Sequence, residues 1–254
     1  MTVFVAATSA ATSAATSAAT SAATSADAEA GPALVVADLE GTCTAGETWR
    51  GVGRWLSDNG RRARYRRFLA PRIAALPLVR FGLVPRRAFR ERWIRDLARL
   101  LDDLTSDELA RVAEEVVDGH LWPARRLAVI AELEAAAAAG ARVAIASGTY
   151  QPVLEAFIAR LAAGPAGPAA ALGTPLELVE GRTTGRLAGH VGTGSLKADR
   201  VRAWAGGAPL AAAYGDSLAD VPLLEMAADP VAVAPDADLR PIASARGWRI
   251  LDAG

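Results

Sequence analysis

Three short runs constrain this chain more than anything else in it: ALVVAD (33–38), RVAIAS (142–147) and LAAAYGD (210–216). Each is apolar at odd and even positions alike and then stops on a polar residue, Asp38, Ser147 or Asp216. Side chains of a strand alternate between two faces, so a run apolar at every position must be covered on both. Sheets covered on both faces are built from parallel strands joined by helices. The intervening stretches fit that pattern. PARRLAVIAELEAAAAAG (123–140) reads as a helix with Pro123 near its start and Gly140 as its stop. Residues 151–163, SLKADRVRAWA (195–205) and SLADVPLLEMA (217–227) read as further helices, and PVAVA (230–234) and RGWRIL (246–251) as closing strands. The expected fold class is α/β: a Rossmann-like, doubly wound, mainly parallel sheet with helices on both faces.

Two segments stand outside that alternation. Residues 6–26 repeat Ala-Ala-Thr-Ser and offer no large side chain to bury, so residues 1–30 are expected to be a low-complexity, disordered tail. Residues 45–122 interrupt the pattern just after the first strand with helical periodicity. TSDELARVAEEVVDGHL opens on a capping box of Thr105 and Glu108. The expected organisation is an α/β core of residues 31–44 and 123–254 carrying a helical cap, residues 45–122, above the carboxyl ends of the strands. In open α/β sheets that rim is where ligands bind.

Charge narrows the function classes. Lys+Arg and Asp+Glu are both 28, and a balanced chain argues against a dedicated nucleic-acid binder. The single Cys43 excludes an internal disulfide framework and fits a reducing compartment, hence a cytoplasmic setting. His120 and His190 leave no His/Cys zinc cluster. No apolar run approaches the roughly 20 residues that span a bilayer. The charge is unevenly placed: residues 45–95 hold 14 Arg against three acids, and residues 96–120 hold two Arg against eight acids. In RRARYRRFLAPRIAALPLVRFGLVPRRAFRERW (61–93) the Arg clusters mix with apolar residues. That reads as a helical bundle with a basic exterior, or as a peripheral contact with an anionic membrane surface or an apolar phosphorylated substrate.

Four places on the rim carry candidate chemistry. Asp38 and Glu40 stand at i and i+2 of an extended chain and point the same way. Two such carboxylates repel unless a cation lies beside them, and one could attack an electrophile while the other moves protons. A strand end with a solvent-facing acid would look the same. Ser147 and Gly148 could hold phosphate oxygens, or could be an ordinary helix cap. Lys197 is the only lysine among the 28 basic residues. Its ammonium could brace a carboxylate and a phosphoryl oxygen, or sit on a helix surface. Asp216 and Asp220 flank a strand-to-helix turn and suit Mg²⁺, although Ser217 and Asp220 also fit a capping box.

In this order, DLEGT (38–42), SGT (147–149), Lys197 and GDSLAD (215–220) resemble the four motifs of the haloacid dehalogenase (HAD) superfamily of phosphatases. The resemblance covers about residues 31–254. The helical insert, GRTTGRLAG (181–189) and VAVAPDADLRPIASARGW (231–248) are similar to the phosphoserine-phosphatase-like branch. It implies Asp38 as a nucleophile forming an aspartyl-phosphate, Glu40 as general acid/base, and Ser147, Gly148 and Lys197 around the phosphoryl group. It implies Mg²⁺ held through Asp38, the Glu40 backbone carbonyl, Asp216 and Asp220. Glu40 departs from the usual Asp, and DLEG also resembles a branch that passes phosphate to an alcohol acceptor. Glu47 falls where phosphoserine phosphatases bind the substrate amino group. Their carboxylate-gripping Arg falls on Leu97, so Arg95 or Arg99 would have to substitute. The expected activity is hydrolysis of a small, phosphoserine-like phosphomonoester. The alternatives are a phosphotransferase using the same intermediate and a catalytically weak protein whose basic cap binds membrane or a partner.

Overall fold

The computed structural model of the chain describes residues 31–162 and 169–252. The Ala-Ala-Thr-Ser tract lies outside the described residues, and residues 31–33 are exposed coil. From there β1 (Leu34–Ala37) leads to α1 (Thr48–Asp58), α2 (Arg62–Arg80), α3 (Arg86–Ala98) and α4 (Ser106–Val116). After a π-helical turn at Val117–Leu121 comes α5 (Leu127–Ala138). The chain continues through β2 (Arg142–Tyr150), α6 (Gln151–Ala162), β3 (Ala170–Thr174), β4 (Leu176–Val179), β5 (Arg182–Leu187) and α7 (Ser195–Ala205). It closes with β6 (Leu210–Gly215), α8 (Val221–Leu224), β7 (Ala227–Val233), α9 (Leu239–Ala245) and β8 (Arg249–Leu251).

Six strands form one sheet in the order β3-β2-β1-β6-β7-β8, and every pairing in it is parallel. The doubly apolar runs explain this arrangement. Val35, Ala37, Ile145, Tyr214 and Val231 face one side, where Val129, Leu133, Leu154 and Phe157 of α5 and α6 cover them. Leu34, Val36, Ala144, Ala146 and Ala213 face the other, under Val201 of α7, Leu223 and Leu224 of α8 and Leu239 of α9. Because the strands run the same way, Asp38, Ser147 and Asp216 emerge on one rim. The first core continues without a break into the helical segment through Val52, Leu56, Phe68, Leu97, Val112 and Val116. The expected capping box on α4 is present, with Thr105 and Glu108 bonding reciprocally.

Several boundaries differ from the expectation. The helix expected over 123–140 starts at Leu127, because residues 122–126 are bound to the loop after β1. There Arg126 N donates to Cys43 O at 2.8 Å and Ala45 N to Ala124 O at 2.9 Å. The helix expected over 217–227 is a 3-10 turn at Leu218–Asp220 followed by the one-turn α8. Neither β3 nor the β4–β5 hairpin was expected. The hairpin braces the helical segment: Asp103 N donates to Thr183 O, and Thr183 N to Leu104 O, both at 2.8 Å.

Candidate active site

The sole lysine lies in the first turn of α7, buried at the rim between two carboxylates. Lys197 Nζ donates to Asp38 Oδ1 at 2.6 Å and to Asp220 Oδ1 at 2.7 Å. Burial works to lower the pKa of Lys197, but Asp220 and Asp38 outweigh it and raise it, so the ammonium keeps its charge. The other oxygen of Asp220 is also taken. Oδ2 accepts from Ser217 Oγ at 2.9 Å, Ser217 N at 3.1 Å and Asp216 N at 3.3 Å. Burial raises Asp220, yet Lys197 and the Ser217 bonds hold it below the usual carboxylate value. Asp220 is thus a brace for Lys197 and for the 216–220 turn, with both oxygens engaged. Burial raises Asp38, against the pull of Lys197.

Asp216 completes the cluster. One oxygen each of Asp38, Asp216 and Asp220 lie within 4.8 Å of one another. Three carboxylates against one ammonium leave a net charge of −2. Burial and then the charges of Asp38 and Asp220 push Asp216 up to about 8, against the opposing charges of Lys197 and Arg90. Among the described residues its carboxylate accepts one hydrogen bond, from Thr42 Oγ1 at 3.4 Å. An all-oxygen, net-negative group of this kind fits a hard divalent cation such as Mg²⁺. The turn that brings it close requires Gly41, whose φ is +87°. A Cβ there would stand 2.2 Å from Asp216 Oδ2.

Glu40 uses its extra methylene. Its Oε1 accepts the backbone N–H of Thr48 at 3.0 Å, at the amino end of α1, where Glu47 makes no side-chain cap. Burial raises the Glu40 pKa, and bonds from Thr48 oppose it. Thr149 Oγ1 donates to Thr48 Oγ1 at 2.7 Å, which ties α1 to β2. Ser147 is buried on β2 beside Gly148, where a Cβ would meet Thr193 Cγ2 at 2.7 Å. Asp38, Glu40, Ser147, Gly148, Lys197, Asp216 and Asp220 all line one cleft of about 850 Å³.

Of the two residues expected to grip the substrate, Glu47 lines the cleft and Arg95 does not. Glu47 is ion-paired to Arg50 one turn along. Arg95 is exposed on α3. The α3 face turned to the cleft carries Arg90, Trp93, Ile94 and Leu97, the i, i+3, i+4, i+7 spacing of a single helix face, and Arg95 is one residue off it. Arg99 is likewise outside, paired to Asp96 at 2.7 Å. Arg90 makes no ion pair among the described residues, and its charge lowers Asp216. Arg126, unremarked in the sequence, also lines the cleft and donates from Nε to Gly41 O at 3.0 Å. Tyr150 Oη donates to Ile94 O at 2.6 Å, fixing α3 to the end of β2.

Comparison with known proteins agrees with this geometry. The family model described as haloacid dehalogenase-like hydrolase matches residues 35–225. The phosphoserine phosphatase SerB1 of Mycobacterium tuberculosis is 37% identical over 153 residues, which are 57% of this chain and 47% of that protein. The match thus spans about half the length of that relative. Among solved structures, a protein of unknown function from Bordetella pertussis Tohama I superposes with a TM-score of 0.72 at 27% identity, covering 89% of this chain and 100% of that one. A substrate-bound phosphoserine phosphatase shares the fold with a TM-score of 0.58 at 18% identity, covering 88% of this chain and 94% of that one.

Proposed function

The chain belongs to the haloacid dehalogenase-like hydrolases, and within that family we propose that it is a Mg²⁺-dependent phosphomonoester hydrolase working through an aspartyl-phosphate on Asp38. The observation that carries this reading is the 2.6 Å bond from Lys197 to Asp38 Oδ1 at the base of the cleft, next to Asp216. That bond fixes one carboxylate oxygen and leaves Oδ2 to attack phosphorus. The Oδ2–P bond forms as the P–O bond to the leaving alcohol breaks. Glu40 is anchored through Oε1, so Oε2 gives its proton to the leaving oxygen. Burial raises its pKa, which favours the acid form that this step uses. In the second half Glu40 takes a proton from water, whose oxygen attacks phosphorus and frees Asp38.

Ser147, the N–H groups around Gly148 and Lys197 hold the phosphoryl oxygens, and Arg90 adds positive potential from α3. Asp38, the Glu40 carbonyl and Asp216 are the residues that would hold Mg²⁺, with Asp220 braced on Lys197. The ion would neutralise charge gathering on the phosphoryl oxygens. In this reading residues 45–122 act as the cap that keeps water out of a core of residues 31–44 and 123–254.

The test is phosphate release from a panel of phosphomonoesters by the wild type and Asp38→Asn, with Mg²⁺ and then with chelator. Release that needs both Mg²⁺ and Asp38 is expected, and release by Asp38→Asn at the wild-type rate would overturn the assignment. Running the panel with added alcohols separates hydrolysis from transfer to an acceptor. Exposed Leu78, Phe81 and Leu83 beside Arg80 favour a peripheral contact with anionic lipid as well, although among the described residues no helix is long and apolar enough to cross a membrane. Co-sedimentation with anionic vesicles, lost in the double variant Phe81→Ser/Leu83→Ser, is the expected result.

A further inference from the structure

The cleft is far more apolar than a phosphorylated amino acid needs. Its volume, about 850 Å³, sits in the upper part of the range of roughly 300–1,000 Å³ that drug-sized ligands occupy. Opposite the rim the wall is Trp49 of α1, Ile73 and Leu76 of α2, and Trp93, Ile94 and Leu97 of α3. The aromatic part of that wall is held in place by its own packing. Trp93 meets Trp49 edge-on at 5.2 Å between centroids, and Phe68 edge-on at 5.6 Å. The ionic groups on this side offer no two-point grip for an amino acid. Glu47 and Arg50 are paired with each other, Arg126 is bonded back to Gly41 O at the rim, and Arg90 acts toward Asp216, where the phosphate belongs.

A substrate ammonium and carboxylate would lose water here without gaining partners, whereas methylenes gain by leaving water. The apolar wall also continues outward. Ile73 and Leu76 line the cleft and are 52% and 46% exposed. A wall buried at one end and open at the other fits a chain that enters phosphate-first.

Building on the hydrolase reading above, we propose that the phosphomonoester taken by this cleft carries a single apolar chain, which lies along Ile73 and Leu76 between α2 and α3. The substrate class is that of alkyl or acyl-glycerol phosphates rather than phosphorylated amino acids.

The test is equilibrium binding of n-alkylphosphonates, methyl to octyl, to the full chain with Mg²⁺. These ligands are monomeric in solution and have no P–O ester bond to break. Kd falls about two- to fourfold per added methylene, and the slope flattens in the double variant Ile73→Ser/Leu76→Ser, whose replaced side chains are already half exposed. A Kd that is flat from methyl to octyl overturns the inference even if the protein is an active hydrolase, and so does a slope unchanged in the double variant. In parallel, kcat/KM for octyl phosphate exceeds that for O-phosphoserine by roughly 100-fold, a value short of full burial for six or more methylenes. Preference for O-phosphoserine overturns the inference and leaves the hydrolase reading intact. No turnover of any ester, with the phosphonate slope present, overturns the hydrolase reading and leaves the apolar-chain subsite along Ile73 and Leu76 standing.

Discussion

Shortening Glu40 to Asp separates two jobs that one carboxylate performs. Glu40 Oε1 receives the Thr48 N–H at 3.0 Å and is the side-chain acceptor at the amino end of α1. Asp lacks one C–C bond of about 1.5 Å. Its oxygen would retreat to roughly 4.5 Å from Thr48 N, beyond hydrogen-bonding range. Losing a cap costs ~0.5–2 kcal/mol, and Thr48, whose N–H loses its acceptor, is buried, so the upper half applies and about 1.5 kcal/mol is expected. For a chain of this size each kcal/mol moves Tm by about 2–4 °C, so Glu40→Asp should melt about 3–6 °C below the wild type. Glu40→Gln keeps the length and the acceptor oxygen, so its Tm should stay within about 1 °C of the wild type. Its amide cannot relay a proton, so turnover should drop by about 10²–10⁴-fold. Thermal unfolding and phosphate release read the two effects separately. If Glu40→Asp melts with the wild type, the bond to Thr48 does not hold α1. If Glu40→Gln turns over at full rate, the proton is not moved at Glu40.

Lys197→Met strands the buried carboxylates of Asp38 and Asp220, and denaturant unfolding should show a loss of about 3–5 kcal/mol, largely recovered in Lys197→Met/Asp220→Asn. Equal stability of Lys197→Met and wild type would contradict the pairing. Gly41→Ala places a Cβ 2.2 Å from Asp216 Oδ2 in a left-handed conformation that itself costs about 1–2 kcal/mol. The Mg²⁺ concentration for half-maximal activity should rise at least about tenfold, since the displaced carboxylate is a proposed ligand; an unchanged requirement would place the ion elsewhere. Arg90→Ala should raise KM about tenfold while Arg95→Ala leaves it unmoved, as expected when only one of the two faces the phosphate; the reverse order would put α3 in the wrong phase.

The pH dependence has a definite sign. Asp216 rises from 3.8 to about 8 on folding, so the folded state binds the extra proton. The stability tied to that proton is therefore full below about pH 4 and is lost as pH climbs through about 8. Mg²⁺ competes with that proton, and the Tm gained from Mg²⁺ should be larger at pH 8.5 than at pH 5.5. An equal gain at both would mean that Asp216 does not hold the ion.

The sheet was legible because LVVA, RVAIAS and LAAAYG are apolar on both faces, and only a sheet covered on both sides tolerates that. The rim followed from where each run stops, which puts Asp38, Ser147 and Asp216 at the same end of parallel strands. β3 left no sign because AALGT has one large apolar residue, Leu172, among small ones and announces neither strand nor helix. The β4–β5 hairpin did leave a sign. Glu180 and Gly181 stand at φ 50° and 75°, a two-residue turn in which the Gly is the readable half. The site residue misplaced on α3 came from helix phase. Trp93, Ile94 and Leu97 mark the face toward the cleft, and Arg90 stands one turn before Ile94, so the spacing pointed to Arg90. Alignment to the family pattern fell on Leu97, and Arg95 was a nearby arginine standing in for it rather than one on the same helix face. Arg126 and the bond from Glu40 to Thr48 could not be read, because each depends on how the loop after β1 folds back on α1 and on the turn before α5.

A chain that writes Arg almost everywhere has placed its one side-chain amine at the bottom of the cleft, between Asp38 and Asp220. Amine-directed reagents that ignore guanidinium groups therefore have a single ε-amino target, and it is shielded whenever the rim is intact. The rate at which Lys197 becomes acylated is then a clock for the opening of the site. It needs no engineered label, and whatever fills the cleft or holds the carboxylates in place will slow it.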